Sequence, residues 1–269
     1  MALVPFPGST GPARYEEPDD EFASDEAGAR MSFLEHLDEL RKRLLYSIGA
    51  VAVGFLIALL FISYIFAFIM RPLAATLPEG TKMIYTEPTE AFLLQLKVAA
   101  LAGLVLATPA VLWQLWLFIA PGLYRREKRL ALPFVISSSL LFVAGAAFNH
   151  YVVFRIAFQF LGGFGTDYME FLPRIQPVFS LYARMVLAFG IVFQMPVLVF
   201  TLTRLGLVNA RMLIRNIKYA VLVIFVLAAV ITPTSDVVTQ TLMAAPMMVL
   251  YAISIGIAWM FGTGRKRGD

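Results

Sequence analysis

Cysteine is absent from the 269 residues, so the chain can form no disulfide and offers no thiolate to a metal. Histidine is nearly absent: only His36 and His150 occur, and the topology derived below puts them at opposite membrane faces, which excludes a shared metal site. Charge is sparse. Charged residues make up 15% of the chain against 59% hydrophobic, and the mean hydropathy is +0.77, too apolar for a soluble domain of this length. The Gly-x-x-x-x-Gly-Lys-Ser/Thr phosphate cradle is also missing, since Gly262-Thr263-Gly264-Arg265-Lys266-Arg267 does not match it, so energy for any transport must come from elsewhere. Ser137, Ser138 and Ser139 open the third apolar run on the side opposite His150, which argues against a Ser–His intramembrane protease. No catalysis, cofactor or metal is expected.

What is present is a series of six apolar runs, roughly 44–70, 91–118, 131–160, 178–203, 219–231 and 237–261. Runs of about 25 residues carry a helix across ~30 Å of hydrocarbon, and they lack the strict alternation of barrel strands. Helices are therefore the spanning element, because each satisfies its own backbone in lipid. The cations sort by gap. Arg41, Lys42 and Arg43 precede the first run; Arg125, Arg126, Lys128 and Arg129 follow the second; Arg204, Arg211, Arg215 and Lys218 follow the fourth; Arg265, Lys266 and Arg267 close the chain. Those gaps hold 14 basic residues, whereas the alternate gaps hold only Arg71, Lys82 and Arg174. Positive charge stays on the cytoplasmic side, so both termini are predicted to be cytoplasmic. The expected fold is an all-α polytopic membrane protein of six transmembrane helices in a bacterial inner membrane, and the basic loops read as orientation signals and not as a nucleic-acid surface.

Residues 1–31, with Glu16, Glu17, Asp19, Asp20, Glu21, Asp25 and Glu26 and four prolines, are predicted to be a disordered acidic tail, neither secretory signal nor transit peptide. The membrane domain is expected over 32–262, with a basic cytoplasmic tail at 263–269. Ser32 and Glu35 have capping-box spacing, so the first helix is expected to begin there. Arg71-Pro72 is expected to end the first span, and the connection to Glu90 to be the largest outer element. Trp113, Trp116 and Phe118 form an aromatic belt, and Pro121-Gly122 turns the chain. Spans five and six are expected to be short. From Lys218 to Pro233 there is room for about 14 residues, roughly 21 Å of helix, and Pro246 interrupts the sixth run.

Near the inner face, Glu35, Asp38, Glu39 and Glu127 stand among those 14 cations. Two readings remain open. Glu39 can pair with Arg43 four residues on, and Glu127 with its neighbours; alternatively the two carboxylates converge to accept guanidinium groups, whose planar donors suit them bidentately. Gln194 stands mid-span before Met195-Pro196, as a satisfied kink or as polar recognition of a partner helix. Lys97, Arg155 and Arg184 lie toward outer span ends, where long side chains snorkel; Glu87, Glu90 and Asp236 are within possible reach of Lys97.

His36-Leu37-Asp38-Glu39-Leu40-Arg41-Lys42-Arg43-Leu44, then Phe118-Ile119-Ala120-Pro121-Gly122-Leu123-Tyr124 with Glu127, then Thr232-Pro233 leading to Asp236 and Gln240-Thr241-Leu242, resemble the TatC family, the receptor core of the twin-arginine protein translocase. The resemblance covers roughly residues 32–261. It implies that Glu39 and Glu127 bind the paired arginines of signal peptides on folded precursors, with Arg41, Phe118, Pro121 and Leu123 shaping that surface. It further implies self-association, TatA- and TatB-like single-span partners, and a proton gradient as driving force. Pro72 matches an outer cap that supports assembly. Asp236 matches an acid at the outer start of span six, where a plain helix N-cap is the competing reading. At Gln194 many relatives carry glutamate, so a proton-linked role there is in doubt. The rival function is a secondary transporter of a small solute, for which Gln194 would line the path.

Overall fold

A computed structural model describes residues 33–75, 77, 83–119, 131–163, 172–232 and 236–262. The chain divides into two compact units, residues 1–42 and 43–269. Among the described residues the structure is helical apart from one isolated backbone bridge.

The first apolar run forms α1 (Phe33–Leu60) and α2 (Ile62–Ala74), with a break at Phe61. Pro72 lies inside the last turn of α2 and does not terminate it. Helix α3 (Pro88–Ile119) is a single 32-residue element. The third run comprises α4 (Ala131–Phe148), a π-helical turn at Asn149–Val153, and α5 (Phe154–Gly162). The fourth run is divided into α6 (Ile175–Val192) and α7 (Met195–Arg204). A short α8 (Ala210–Arg215) leads to α9 (Ile217–Ile231) and α10 (Val237–Phe261).

Among the described residues five apolar helical segments are long enough to cross a bilayer, beginning at Glu35, Pro88, Leu132, Ile175 and Val237. Helix α9 has 15 residues, about 22 Å, and is short as expected. The sixth run corrects the expectation. Helix α10 has 25 residues and continues through Pro246, so it measures about 37 Å. Proline removes one backbone donor, and in a membrane bundle neighbouring groups make that loss tolerable.

Helix α6 is central: Phe179, Tyr182, Met185, Val186 and Phe189 are all buried, and the core they join includes Leu94, Val98, Phe154, Met243 and Met247. Lipid is as apolar as these side chains, so close packing and not water exclusion holds the spans together. Small residues permit it. Gly54 meets Gly103 where α1 crosses α3, a Cβ on Gly54 falling 2.5 Å from the Gly103 carbonyl oxygen. The turn after α7 uses Gly206 at φ +73°; its N–H donates to the Thr203 carbonyl and that of Leu207 to the Leu202 carbonyl, a Schellman closure. Asn209 then caps α8 by accepting from the Met212 N–H at 2.8 Å.

Candidate functional site

Of the residues expected to form the inner recognition surface, Glu39 lies in the second turn of α1 and Arg41 in the third, and Phe118 lies in the last turn of α3. Pro121, Leu123 and Glu127 fall outside the described residues, as do residues 1–31, Ser32 and the 263–269 tail. Around Phe118, Trp116 is buried and its ring packs on Phe134 at a centroid distance of 4.4 Å. One turn earlier, Arg43 donates to the Gln114 side-chain oxygen at 3.4 Å. The end of α3 is thereby anchored to both α1 and α4.

Gln194 occupies the break between α6 and α7. With Pro196 two residues on, the backbone tightens, and the Gln194 N–H donates to the Ile191 carbonyl and not to that of Gly190. The Gly190 carbonyl so released is taken up by Gln194 Nε2 at 3.3 Å, and the same nitrogen donates to the Ser138 carbonyl on α4 at 3.0 Å. One amide therefore repairs the kink and ties the third span to the fourth. Gly190 makes room for this approach, because a Cβ there would lie 2.6 Å from the Phe142 ring.

Asp236 is the N-cap of α10: it accepts from the Thr239 N–H at 2.7 Å and from the Thr239 hydroxyl at 2.6 Å. Its capping role, left open by the sequence, is present in the structure. At the same ends of the spans, Ile84 and Arg174 form a parallel backbone bridge, with the Ile175 N–H donating to the Ile84 carbonyl at 2.9 Å. Sequence reasoning missed the organiser of this corner, Glu90. It is 3% exposed, accepts from the Thr86 N–H at 2.9 Å, and forms an ion pair with Arg174, 84 residues away. The Gln176 amide fits with its nitrogen toward Glu90 at 3.3 Å and its oxygen toward Lys97 Nζ at 3.0 Å. Lys97 thus reaches Glu90 only through Gln176. The local signal available was an acid in the first turn of a helix, two residues after proline, but its partner lies too far along the chain to be read from spacing.

A groove of 520 Å³ opens among the third, fourth and sixth spans, walled by Phe148, Val152, Ile156, Phe193, Pro246 and Ile253. Its lining is apolar, suited to an aliphatic or aromatic segment and not to a hydrated solute. His150 lines a separate cavity and is buried, with Nδ1 2.9 Å from the Tyr182 hydroxyl and its ring stacked on Phe68. Among the described residues no group of three or more His, Asp or Glu side chains is arranged to hold a metal.

Comparison with known proteins places this architecture. The family profile described as Sec-independent protein translocase protein (TatC) matches residues 35–246. The Sec-independent protein translocase protein TatC of Koribacter versatilis is 44% identical over 247 residues, 91% of each chain. That of Desulforapulum autotrophicum is 47% identical over 230 residues, 86% of this chain and 85% of its own. Two crystal structures of the twin-arginine translocase receptor TatC, one in DDM, superpose with TM-scores of 0.73 and 0.75. Both are 38% identical and cover 83% of this chain and 98% or 99% of theirs. Profile, relatives and fold agree, and the protein, a membrane protein of several apolar helices, belongs to the TatC family of the Sec-independent, twin-arginine protein translocase.

Proposed function

We propose that this chain is the receptor subunit that binds twin-arginine signal peptides of folded precursors and organises their export. The observation that carries the reading is its family membership, together with two acids, Glu39 and Glu127, set among 14 inner cations. In that field a carboxylate that meets an incoming guanidinium pair gains forked, charge-assisted hydrogen bonds that an ammonium cannot reproduce. Arg41, Phe118, Pro121 and Leu123 would shape the surface. The apolar stretch that follows the arginine pair would lie in the groove beside Phe193 and Pro246.

On this reading the protein crosses a bacterial inner membrane six times with both termini cytoplasmic, as the distribution of lysine and arginine requires. TatA- and TatB-like single-span subunits and further copies of this chain complete the complex, and the proton gradient drives transport. Pro72 and Asp236 would serve assembly at the outer face, and Gln194 would take part in recognition of a partner helix. The small-solute transporter reading has no support in the family or in the apolar groove.

The test is a photo-crosslinker at position 124, three residues before Glu127 and leaving that carboxylate in place, presented with precursors carrying Arg-Arg or Lys-Lys. Crosslinking by the Arg-Arg precursor alone is expected, and Glu127→Lys should abolish precursor binding while leaving the folded protein intact. Equal crosslinking by both precursors would remove Glu127 from the recognition site.

A further inference from the structure

A second groove, of 430 Å³, lies between α3 and α6 at the ends nearest the Ile84–Arg174 bridge. Leu101, Leu104, Phe179 and Leu187 form its walls, and Lys97 and Arg184 stand at its rim. Both cations are exposed. Each is the tenth residue of its helix, since α3 begins at Pro88 and α6 at Ile175, so they sit at matching depth, about 14 Å from each helix start. Helix α3 is about 48 Å long against ~30 Å of hydrocarbon, which leaves about 9 Å beyond each boundary. The two Cα atoms therefore lie about 5 Å inside the hydrocarbon edge, and extended side chains bring their charges to the level of lipid phosphates and glycerol.

The charges are not spent on carboxylates. Lys97 Nζ meets the neutral Gln176 oxygen at 3.0 Å, and Arg184 Nε donates to the Ser180 carbonyl at 3.3 Å. Glu90 is engaged by Arg174. The groove rim thus carries two cations, Lys97 and Arg184, while Glu90 is already held by Arg174, beside an apolar groove open to lipid. From this we propose that the groove between α3 and α6 is a binding site for an anionic diacyl phospholipid. Its phosphate would bridge Lys97 and Arg184, and one acyl chain would lie along Leu101, Leu104 and Leu187. The inference does not rest on the receptor reading.

The missing cysteines supply the probe, because Ala100→Cys gives a single thiol in the groove. The full-length variant, labelled there with bimane, is reconstituted in phosphatidylcholine vesicles containing phosphatidylglycerol or phosphatidylcholine brominated on the acyl chains, which quench only on contact. At about fivefold per cation near a membrane surface, phosphatidylglycerol should quench at a mole fraction about tenfold or more below brominated phosphatidylcholine. Adding Lys97→Gln and Arg184→Gln should bring the two lipids to parity, whereas Lys97→Arg with Arg184→Lys should keep the preference. If the neutral pair does not fold, raising salt from about 0.1 M to 1 M, which cuts the screening length from about 10 Å to 3 Å, must erode the preference of the labelled parent. Equal quenching by both lipids, or a preference that survives the neutral pair or high salt, overturns the assignment. So does failure of either lipid to reach the probe, the result expected if a second protein fills the groove.

Discussion

The same substitution, glycine to alanine, is predicted to have opposite signs at two positions of the first two membrane helices. At Gly103 an added Cβ would lie 2.4 Å from the Phe55 nitrogen, 2.6 Å from the Phe55 Cα and 2.8 Å from the Gly54 carbonyl carbon. All three atoms are backbone, so no side chain can swing away. Carbon atoms prefer separations of about 3.5–4.0 Å, so the helices must part by about 1 Å, forfeiting a quarter to a half of each contact energy along the crossing. Overpacking of this kind costs about 1–3 kcal/mol, and the top of that range applies because both partners are main chain. Alanine returns about 1 kcal/mol through its helix preference, leaving Gly103→Ala destabilised by about 2 kcal/mol. At Gly49 a Cβ meets nothing within 4 Å, so only the propensity term operates and Gly49→Ala should be stabilised by about 1 kcal/mol. Unfolding in mixed dodecyl sulfate micelles, followed by the fluorescence of Trp113 and Trp116 on α3, measures the pair. If the two variants unfold within about 0.5 kcal/mol of one another, close backbone contact does not hold α1 to α3.

Three further outcomes follow from the same reasoning. Gln194→Leu removes the donor to the Gly190 and Ser138 carbonyls and should destabilise the protein by about 1–3 kcal/mol in the same assay; Gln194→Glu should retain more stability in acid than in alkali, since only the protonated acid can donate. Asp236→Ala deletes the cap on α10 and should cost about 1 kcal/mol, with Asp236→Asn nearly neutral; equal losses in both would show that charge and not capping matters. Arg174→Gln, which leaves the buried Glu90 without its cation, should speed hydrogen exchange at the Ile175 amide, whose N–H donates across the bridge to Ile84; unchanged exchange would show that the bridge stands without the ion pair.

How far the sequence reaches is clear from particular residues. The apolar runs and the short α9 follow from composition over a window, where many residues vote for one answer. Asp236 was legible as a cap because a cap needs only three following residues. Glu90 with Arg174 was not, since their meeting depends on how two connections lie against each other after the spans have packed. Pro246 misled because a rule framed for water-exposed helices was applied to a membrane helix, which continues through the proline. The interruption at Phe61 carries neither proline nor glycine, and nothing local marks it. Of the residues expected to form the recognition surface, Glu39, Arg41 and Phe118 fall on helices, and their motifs, not their geometry, singled them out.

The groove beside Pro246 shows how these irregularities act together. Its walls take Phe148 from the last turn of α4, Val152 from the π-helical turn, Phe193 from the break before α7 and Pro246 from the interior of α10. Two of these spans depart from the regular α-helix where they border this space, at the π-helical turn and at the break before α7, while α10 carries a proline there and stays one helix. Large side chains such as Phe148, Phe193 and Ile253 line it beside Ala245. Bends expose polar groups, and in hydrocarbon those groups must be answered within the protein. At two of these places they are: Gln194 answers Gly190, and the Phe154 N–H donates to the Asn149 carbonyl across the wider turn. With the backbone already repaired, an apolar segment entering the groove displaces only lipid and breaks no hydrogen bond of the host. On the receptor reading this makes the site preformed, so recognition of the arginine pair need not also supply the energy to open a helical bundle.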